Sequence, residues 1–181
     1  MTPEEARRTL READLVHDSA TVAAAIARMA ASITAALGER NPLLLVLLRG
    51  GIYLAGQILP LLRFPLELDY VDVSRYGRET SGGELEWIAG PRESVGGREV
   101  LVLDDILDAG DTLIAVRERL LALGAASVHI AVLTDKTIGK SKPIGADFVG
   151  LTLPNRYVFG CGMDVSGAWR NLPAIYALKG S

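Results

Sequence analysis

Four aspartates lie close together directly after an apolar segment of the chain. Residues 100–113 read VLVLDDILDAGDTL, and Asp104, Asp105, Asp108 and Asp111 fall within eight positions. Carboxylates crowded in this way repel one another and add nothing to a hydrophobic core. We therefore expect them to face a ligand, either a cation or a molecule rich in hydroxyl groups.

Three interpretations of this segment compete. It is an ordinary strand-to-helix connection with solvated acids, of which Asp111 caps the helix. The second interpretation is a metal site of the DDxxD type, in which the aspartates share one face of a helix. We reject it, because an apolar strand leads directly into the aspartates and Gly110 follows them, so no helix is predicted there. In the third, backbone N–H groups around Gly110 hold a phosphate at the start of a helix near Thr112. Asp104 and Asp105 would then accept hydrogen bonds from ribose hydroxyls or hold Mg²⁺ through water, so we favour a ribose 5-phosphate site.

The surrounding elements alternate between strands and helices. The patterns predict helices over about residues 2–14, 19–37, 52–62 and 112–123, and strands over 43–48, 66–73, 100–103 and 128–133, with short strands near 148–151, 157–159 and Trp87. This alternation predicts an α/β fold with a parallel sheet and helices on both faces. Ligands of such sheets bind beyond the carboxyl ends of the strands, where the aspartates lie.

Composition limits the class of protein. The chain has 181 residues, 23% charged and 49% hydrophobic, which suits one domain over residues 1–181. The net charge of -3 predicts no partner among nucleic acids or anionic membranes. A single cysteine, a charged N-terminus and a longest aliphatic run of six residues at 43–48 predict a cytoplasmic protein without a disulfide or membrane span.

Five motifs resemble those of type I phosphoribosyltransferases. VLVLDDILDAGDTL is similar to the family's motif for phosphoribosyl pyrophosphate (PRPP). The others are similar to segments of the 6-oxopurine branch: LLRGG at 47–51 to its pyrophosphate loop, LTDK at 133–136 to its purine-reading segment, YVFG at 157–160 with the following Met-Asp to its base-stacking and metal segment, and WRNL at 169–172 to its aromatic-Arg-Asp-Leu signature. Their order along the chain makes the likeness one to bacterial hypoxanthine-guanine phosphoribosyltransferases.

This resemblance implies a parallel sheet with a small hood subdomain, built from the N- and C-terminal segments. It also implies purine salvage, in which ribose 5-phosphate passes from PRPP to N9 of hypoxanthine or guanine and yields IMP or GMP with pyrophosphate. Mg²⁺ is the implied cofactor, and a homodimer or homotetramer is the implied assembly. A glycine-rich mobile loop is expected over about residues 74–87.

The resemblance also assigns roles to individual residues. Asp108 is the general base that takes the N7 proton of the purine. PRPP is bound by Arg49, Gly50, Gly51, Asp104, Asp105, Asp108, Ala109, Gly110, Asp111, Thr112 and Arg170. The purine is bound by Lys136, Tyr157, Val158 and Asp164. Mg²⁺ is held by Asp104, Asp105 and Asp164, and the mobile loop contributes Arg75 and Tyr76.

Some positions depart from the family pattern. Arg49 stands where the family has lysine, and Ala109 replaces the commoner threonine or serine, which removes one hydroxyl donor to the 5′-phosphate. Arg75 replaces a serine in the mobile loop. The likeness further places a non-proline cis peptide bond between Arg49 and Gly50.

Two alternative functions stay open beside this one. The first is a transferase that prefers xanthine, because the C2 side of the purine pocket is mostly backbone. The second is a non-catalytic regulator that senses PRPP and binds RNA or DNA; the presence of Asp108 and Lys136 and the acidic net charge argue against it. Since the Lys136 ammonium can only donate hydrogen bonds, it favours purines with an oxygen at C6 over adenine.

Overall fold

The computed structural model describes residues 1–75, 85–92 and 94–180, apart from the side chains of Arg75 and Leu85. Its helices are α1 (Pro3–Glu12), α2 (Ser19–Leu37), α3 (Gly51–Ile58, continued by a 3₁₀ turn at Leu59–Leu61) and α4 (Asp111–Ala122). Its strands are β1 (Asp14–His17), β2 (Leu43–Leu48), β3 (Glu67–Arg75), β4 (Leu85–Ala89), β5 (Glu99–Leu107), β6 (Ser127–Lys136), β7 (Phe148–Leu153), β8 (Val158–Phe159) and β9 (Ile175–Ala177). The predicted alternation of strands and helices is confirmed.

The central sheet has the strand order β4-β3-β2-β5-β6-β7. The four pairs from β3 to β7 are parallel, whereas β4 runs antiparallel to β3 at the edge. The predicted parallel sheet is therefore confirmed, with an antiparallel edge strand added. This arrangement brings the carboxyl ends of β2, β5 and β6 together at one edge of the sheet, which is where ligands of such sheets bind.

Helices cover both faces of the sheet. Because successive side chains of a strand point to opposite faces, Leu44 and Val46 of β2 pack on the side of α2 and α3, while Leu43 and Leu45 pack on the side of α4. A strand covered on both sides must be apolar throughout, which accounts for the unbroken run of β2.

Helix α2 packs a continuous apolar stripe into the core. It begins where the Asp18 side chain accepts a hydrogen bond from the Thr21 N–H at 2.7 Å, and Gly38 follows its last residue. Among the described residues, α2 is also the helix whose length and hydropathy would suffice for a membrane span. Its buried side chains recur at helical spacing and face the sheet: Val22, Ala25, Ile26, Met29, Ala30, Ile33 and Leu37.

Segments near both ends of the described chain form a second, smaller sheet, which is called the hood below. Strands β1, β9 and β8 make a separate antiparallel sheet, in which Asp14 pairs with Ala177 and Val158 with Ala177 on its other side. The Trp169 Nε1–H donates to the Ala6 carbonyl at 2.8 Å, which fastens α1 to the C-terminal segment. Helix α1 ends at Glu12 rather than near Asp14, because the following residues leave the helix to pair as β1.

One boundary of the central sheet that differs from expectation concerns the aspartates. Strand β5 was expected to end at Leu103 and continues to Leu107, because its ladder with β6 runs on through Asp104. Asp104 and Asp105 are therefore strand residues, although aspartate is a poor strand former. The strand expected near Trp87 is confirmed as β4.

The mobile loop expected over about residues 74–87 overlaps the end of β3 and the start of β4. Ser74 and the backbone of Arg75 belong to β3, and β4 begins at Leu85. The prediction for Tyr76 and for the side chain of Arg75 lies outside the described residues.

Candidate active site

The loop between β5 and α4 turns sharply at Gly110. This residue is the N-cap of α4 with φ 95°, a left-handed conformation that glycine adopts without steric cost. A Cβ atom at this position would also lie 3.1 Å from Cγ2 of Ile144. Gly110 has no side chain that could cap α4, and the third interpretation, a phosphate at the start of this helix, stays a prediction.

A cavity of about 440 Å³ opens at this edge of the sheet. It brings together most of the residues assigned to PRPP: Arg49, Gly50, Asp104, Asp105, Asp108, Ala109, Gly110, Thr112 and Arg170. Two assigned residues stand apart from its lining. Gly51 is buried as the first residue of α3, and Asp111 is the exposed first residue of α4. In the first interpretation Asp111 caps α4, but the N-cap of this helix is Gly110.

The two glycines after β2 allow three segments to meet without intervening side chains. A Cβ on Gly50 would collide with the Asp105 carboxylate, and one on Gly51 would lie 2.5 Å from the Leu103 carbonyl oxygen. Gly162 of the hood makes the same close approach to the Gly50 carbonyl. The peptide bond between Leu48 and Arg49 is cis, so the expected position between Arg49 and Gly50 was wrong by one residue.

Asp104 and Asp105 are two neighbouring carboxyl groups at the base of this cavity. Burial and the neighbouring Asp105 raise the pKa of Asp104 well above its ordinary range. Burial also raises the pKa of Asp105, which is only 6% exposed. Two neighbouring carboxyl groups of this kind fit Mg²⁺, which binds proteins through one or two carboxylates and water.

A second cavity of about 320 Å³ adjoins the first and holds the residues assigned to the purine. Lys136, Tyr157, Val158 and Asp164 line it, together with Asp105, Ile106, Asp108, Met163 and Arg170. Asp105, Ile106, Asp108 and Arg170 line both cavities. Asp108 thus lies at the junction of the two cavities. Ile106 and Met163 were not foreseen, since their apolar side chains resemble ordinary core residues in the sequence.

Lys136 and Asp108 form an ion pair that the sequence did not predict. The Lys136 Nζ donates to Asp108 Oδ2 at 2.7 Å. The lysine side chain is 11% exposed and the aspartate side chain 53%, so the ammonium is mostly enclosed and the carboxylate faces the cavities. The residue assigned to read the purine therefore contacts the residue assigned to take its proton.

The side chain of Asp164 is already engaged. Its carboxylate pairs with the Arg170 guanidinium and accepts the Gly167 N–H at 2.6 Å. The Arg170 guanidinium also donates to the Gly162 carbonyl at 2.7 Å, and the Tyr157 hydroxyl donates to the Asp164 carbonyl at 3.2 Å. A metal ion at Asp164 would have to share the carboxylate with Arg170.

Comparison with known proteins agrees with this geometry. Residues 12–166 match the phosphoribosyl transferase domain. The chain is 39% identical over 155 residues to the bifunctional protein TilS/HprT of Listeria innocua, which covers 85% of this chain and 24% of that protein, so the chain spans about a quarter of its length. It is 36% identical over 164 residues to the hypoxanthine-guanine phosphoribosyltransferase of Streptococcus pneumoniae, covering 90% of each.

A solved structure gives the same result for the fold. The crystal structure of a hypoxanthine phosphoribosyltransferase from Staphylococcus aureus superposes with a TM-score of 0.88 at 27% identity and covers 94% of both chains. The matched domain spans most of the chain and includes residues 100–113 and all residues that line the second cavity except Arg170. The chain belongs to the phosphoribosyltransferase family.

Proposed function

We propose that the chain transfers ribose 5-phosphate from PRPP to N9 of hypoxanthine or guanine, and releases IMP or GMP with pyrophosphate. The observation that carries this proposal is the position of Asp108, which lines both the cavity at the start of α4 and the cavity that holds Lys136. Incubation of the purified chain with PRPP, Mg²⁺ and hypoxanthine, followed by chromatography, tests it. IMP is the expected product; a folded chain that forms none would contradict the proposal.

The first cavity would hold PRPP along its length. The 5′-phosphate would lie at the N-terminus of α4, where the backbone N–H groups near Gly110 and the Thr112 hydroxyl donate to it. The ribose hydroxyls would face Asp104 and Asp105, which only accept hydrogen bonds when they are ionised. The pyrophosphate would then extend toward Arg49 and Gly50, and Arg170 lines the same cavity.

The second cavity would hold the purine with its edge toward Asp108 and Lys136. A 6-oxopurine presents an oxygen that accepts from the Lys136 ammonium and an N7–H that donates to the Asp108 carboxylate. The purine would separate the two charged groups and give each of them a new partner. As N9 attacks C1′, Asp108 takes the N7 proton as general base. The half-exposed Tyr157 ring would stack on the base, and the Val158 backbone would pair with its edge.

Mg²⁺ is the proposed cofactor of this reaction. Asp104 and Asp105 would hold it through water, and Asp164 would serve a second ion bound with pyrophosphate. When bound, Mg²⁺ neutralises the negative charge that develops on the leaving pyrophosphate. The raised pKa values of Asp104 and Asp105 support this assignment, because a cation offsets the cost of two ionised carboxylates in a confined site.

Removal of both carboxylates should change the response to Mg²⁺. The variant Asp104→Asn/Asp105→Asn should lose most of the thermal stabilisation that Mg²⁺ with PRPP gives the wild-type chain. In buffer without ligand it should melt at a higher temperature than the wild type at pH 7.5. The reason is that the raised pKa values make the folded wild type bind more protons than the unfolded chain, so its stability falls as pH rises above the ordinary aspartate pKa of about 4.

Differential scanning fluorimetry at pH 5 and pH 7.5, with and without PRPP and Mg²⁺, measures both effects. The gap between variant and wild type without ligand should be larger at pH 7.5 than at pH 5. A variant that responds to Mg²⁺ as the wild type does would contradict the metal assignment.

We also propose that the chain works in the cytoplasm as a homodimer or homotetramer. Exposed apolar side chains support the assembly: Ile52 of α3 and Leu68 of β3 are each more than half exposed and flank a groove with Leu59 and Tyr70. Sedimentation velocity of the wild type and of Ile52→Lys/Leu68→Lys tests this. A wild type that sediments as a monomer at micromolar concentration would contradict it, whereas dissociation caused by the two lysines is the expected result.

A further inference from the structure

Lys142 lies outside every motif and contacts Leu107 and Asp135, near the junction of the two cavities. The Lys142 side chain is only 12% exposed and belongs to the loop between β6 and β7. Its ammonium donates to the Leu107 carbonyl at 2.7 Å and forms an ion pair with the Asp135 carboxylate. An ammonium that is mostly enclosed needs such partners, because burial of an unpaired charge is costly.

The two groups that Lys142 contacts lie side by side in the sheet. Leu107 of β5 and Asp135 of β6 are register partners at the carboxyl ends of these parallel strands. Directly after β6, the Thr137 N–H donates to the Leu153 carbonyl at the end of β7. The lysine ammonium thus joins β5 to β6 at the point where β6 turns toward β7.

Each residue that Lys142 contacts directly precedes a residue of the proposed reaction. Leu107 immediately precedes Asp108, and Asp135 immediately precedes Lys136. Those next residues are the proposed general base and the proposed purine donor, which contact each other across the same strand ends. A single ammonium therefore fixes the neighbours of both groups, and small displacements of such groups are costly to a reaction.

The residues after Lys142 support the adjoining loop by packing. Ile144 is buried, and its Cγ2 atom lies against the site that a Cβ on Gly110 would fill, as does Pro143. These apolar contacts are independent of the Lys142 ammonium. The loop between β5 and α4 should therefore keep its shape when the ammonium alone is removed.

We infer that Lys142 is a positioning residue, which sets the distance between Asp108 and Lys136 and so couples general-base catalysis to purine binding. This inference rests on the proposed function. It predicts that loss of the ammonium impairs use of the purine and the chemical step and spares the binding of PRPP.

The test uses Lys142→Met, which keeps an unbranched chain one atom shorter and removes its donors, with Lys142→Arg as the conservative variant. Lys140→Met is the matched control, because Lys140 lies two residues earlier in the same loop and is exposed. Lys142→Met should lower kcat/KM for hypoxanthine about 10-fold or more, since a hydrogen bond to a charged group is lost on each side of the junction. Its dissociation constant for PRPP, measured by calorimetry without turnover, should stay within about twofold of the control.

Several outcomes decide the inference. Lys142→Arg should lie between Lys142→Met and the wild type, and Lys140→Met should match the wild type. The inference is overturned if Lys142→Met equals Lys140→Met in kcat/KM, or if its affinity for PRPP falls in parallel with kcat/KM, as a general loss of structure would cause.

If the wild type itself transfers nothing, the proposed function fails, and amide hydrogen exchange at Asp108 and Lys136 decides the positioning role. Faster exchange at both amides in Lys142→Met than in Lys140→Met supports it, and equal exchange refutes it.

Discussion

Asp108→Asn is expected to lower kcat by roughly 10²–10⁴-fold and to leave the KM for PRPP nearly unchanged. The amide is close in shape to the carboxylate, and its oxygen can still accept the hydrogen bond that Lys136 donates at 2.7 Å. The geometry of the junction should therefore persist, while the ability to take the N7 proton is lost. The fall in kcat then reports the loss of the proton acceptor and not a change in the fold.

Steady-state kinetics with hypoxanthine and PRPP varied in turn provide the measurement. Glu118→Gln is a suitable control, because it removes one negative charge from the exposed side of α4, away from both cavities. Turnover of Asp108→Asn at the wild-type rate would remove Asp108 from the role of general base. An increase in the KM for PRPP without a change in kcat would instead assign it to sugar binding.

Lys136→Ala is expected to lower kcat/KM for hypoxanthine by about 10²-fold and to narrow the preference for hypoxanthine over adenine. The ammonium donates to an oxygen at C6 and cannot accept from the amino group of adenine. Lys136→Ala removes the hydrogen bond to the C6 oxygen of hypoxanthine. It also removes the donor that opposes the amino group of adenine. Because Asp108 also loses its partner, part of the loss should appear in kcat.

A double-mutant cycle separates these contributions. If Lys136 and Asp108 act on the same purine edge, the losses in Asp108→Asn/Lys136→Ala should be smaller than the product of the single losses. Lys140→Ala, an exposed lysine of the following loop, is the control for loss of positive charge. An adenine selectivity that is unchanged in Lys136→Ala would overturn the assignment of Lys136 as the purine reader.

The parts of the fold that follow a local pattern could be predicted from the sequence. The helical spacing of Val22, Ile26, Met29 and Ile33 predicted α2, and these side chains form its buried face. The unbroken apolar run of β2 predicted a strand buried on both faces, since packing on both sides tolerates no polar residue. Most motif residues assigned to PRPP also line one cavity, because the parallel sheet brings the ends of distant strands to a common edge.

The parts that depend on contacts between distant segments could not be predicted. Strand β1 has four residues and owes its conformation to pairing with β9, so Asp14 and Ala177 are neighbours although they lie at opposite ends of the chain. The ion pair of Lys136 and Asp108 likewise depends on the spacing of two strand ends. Lys140 and Lys142 look alike in the sequence, and only the fold makes the first exposed and the second enclosed.

An assay with four purines tests most directly whether the two adjoining cavities carry out the proposed phosphoribosyl transfer to a 6-oxopurine. Ultraviolet absorbance would follow the reaction of hypoxanthine, guanine, xanthine and adenine in turn with PRPP and Mg²⁺. We expect turnover of hypoxanthine and guanine and none of adenine, and the rate with xanthine gives the preference at the C2 position. No turnover of any base, together with tight binding of PRPP, would contradict the claim and make the chain a sensor of PRPP rather than an enzyme.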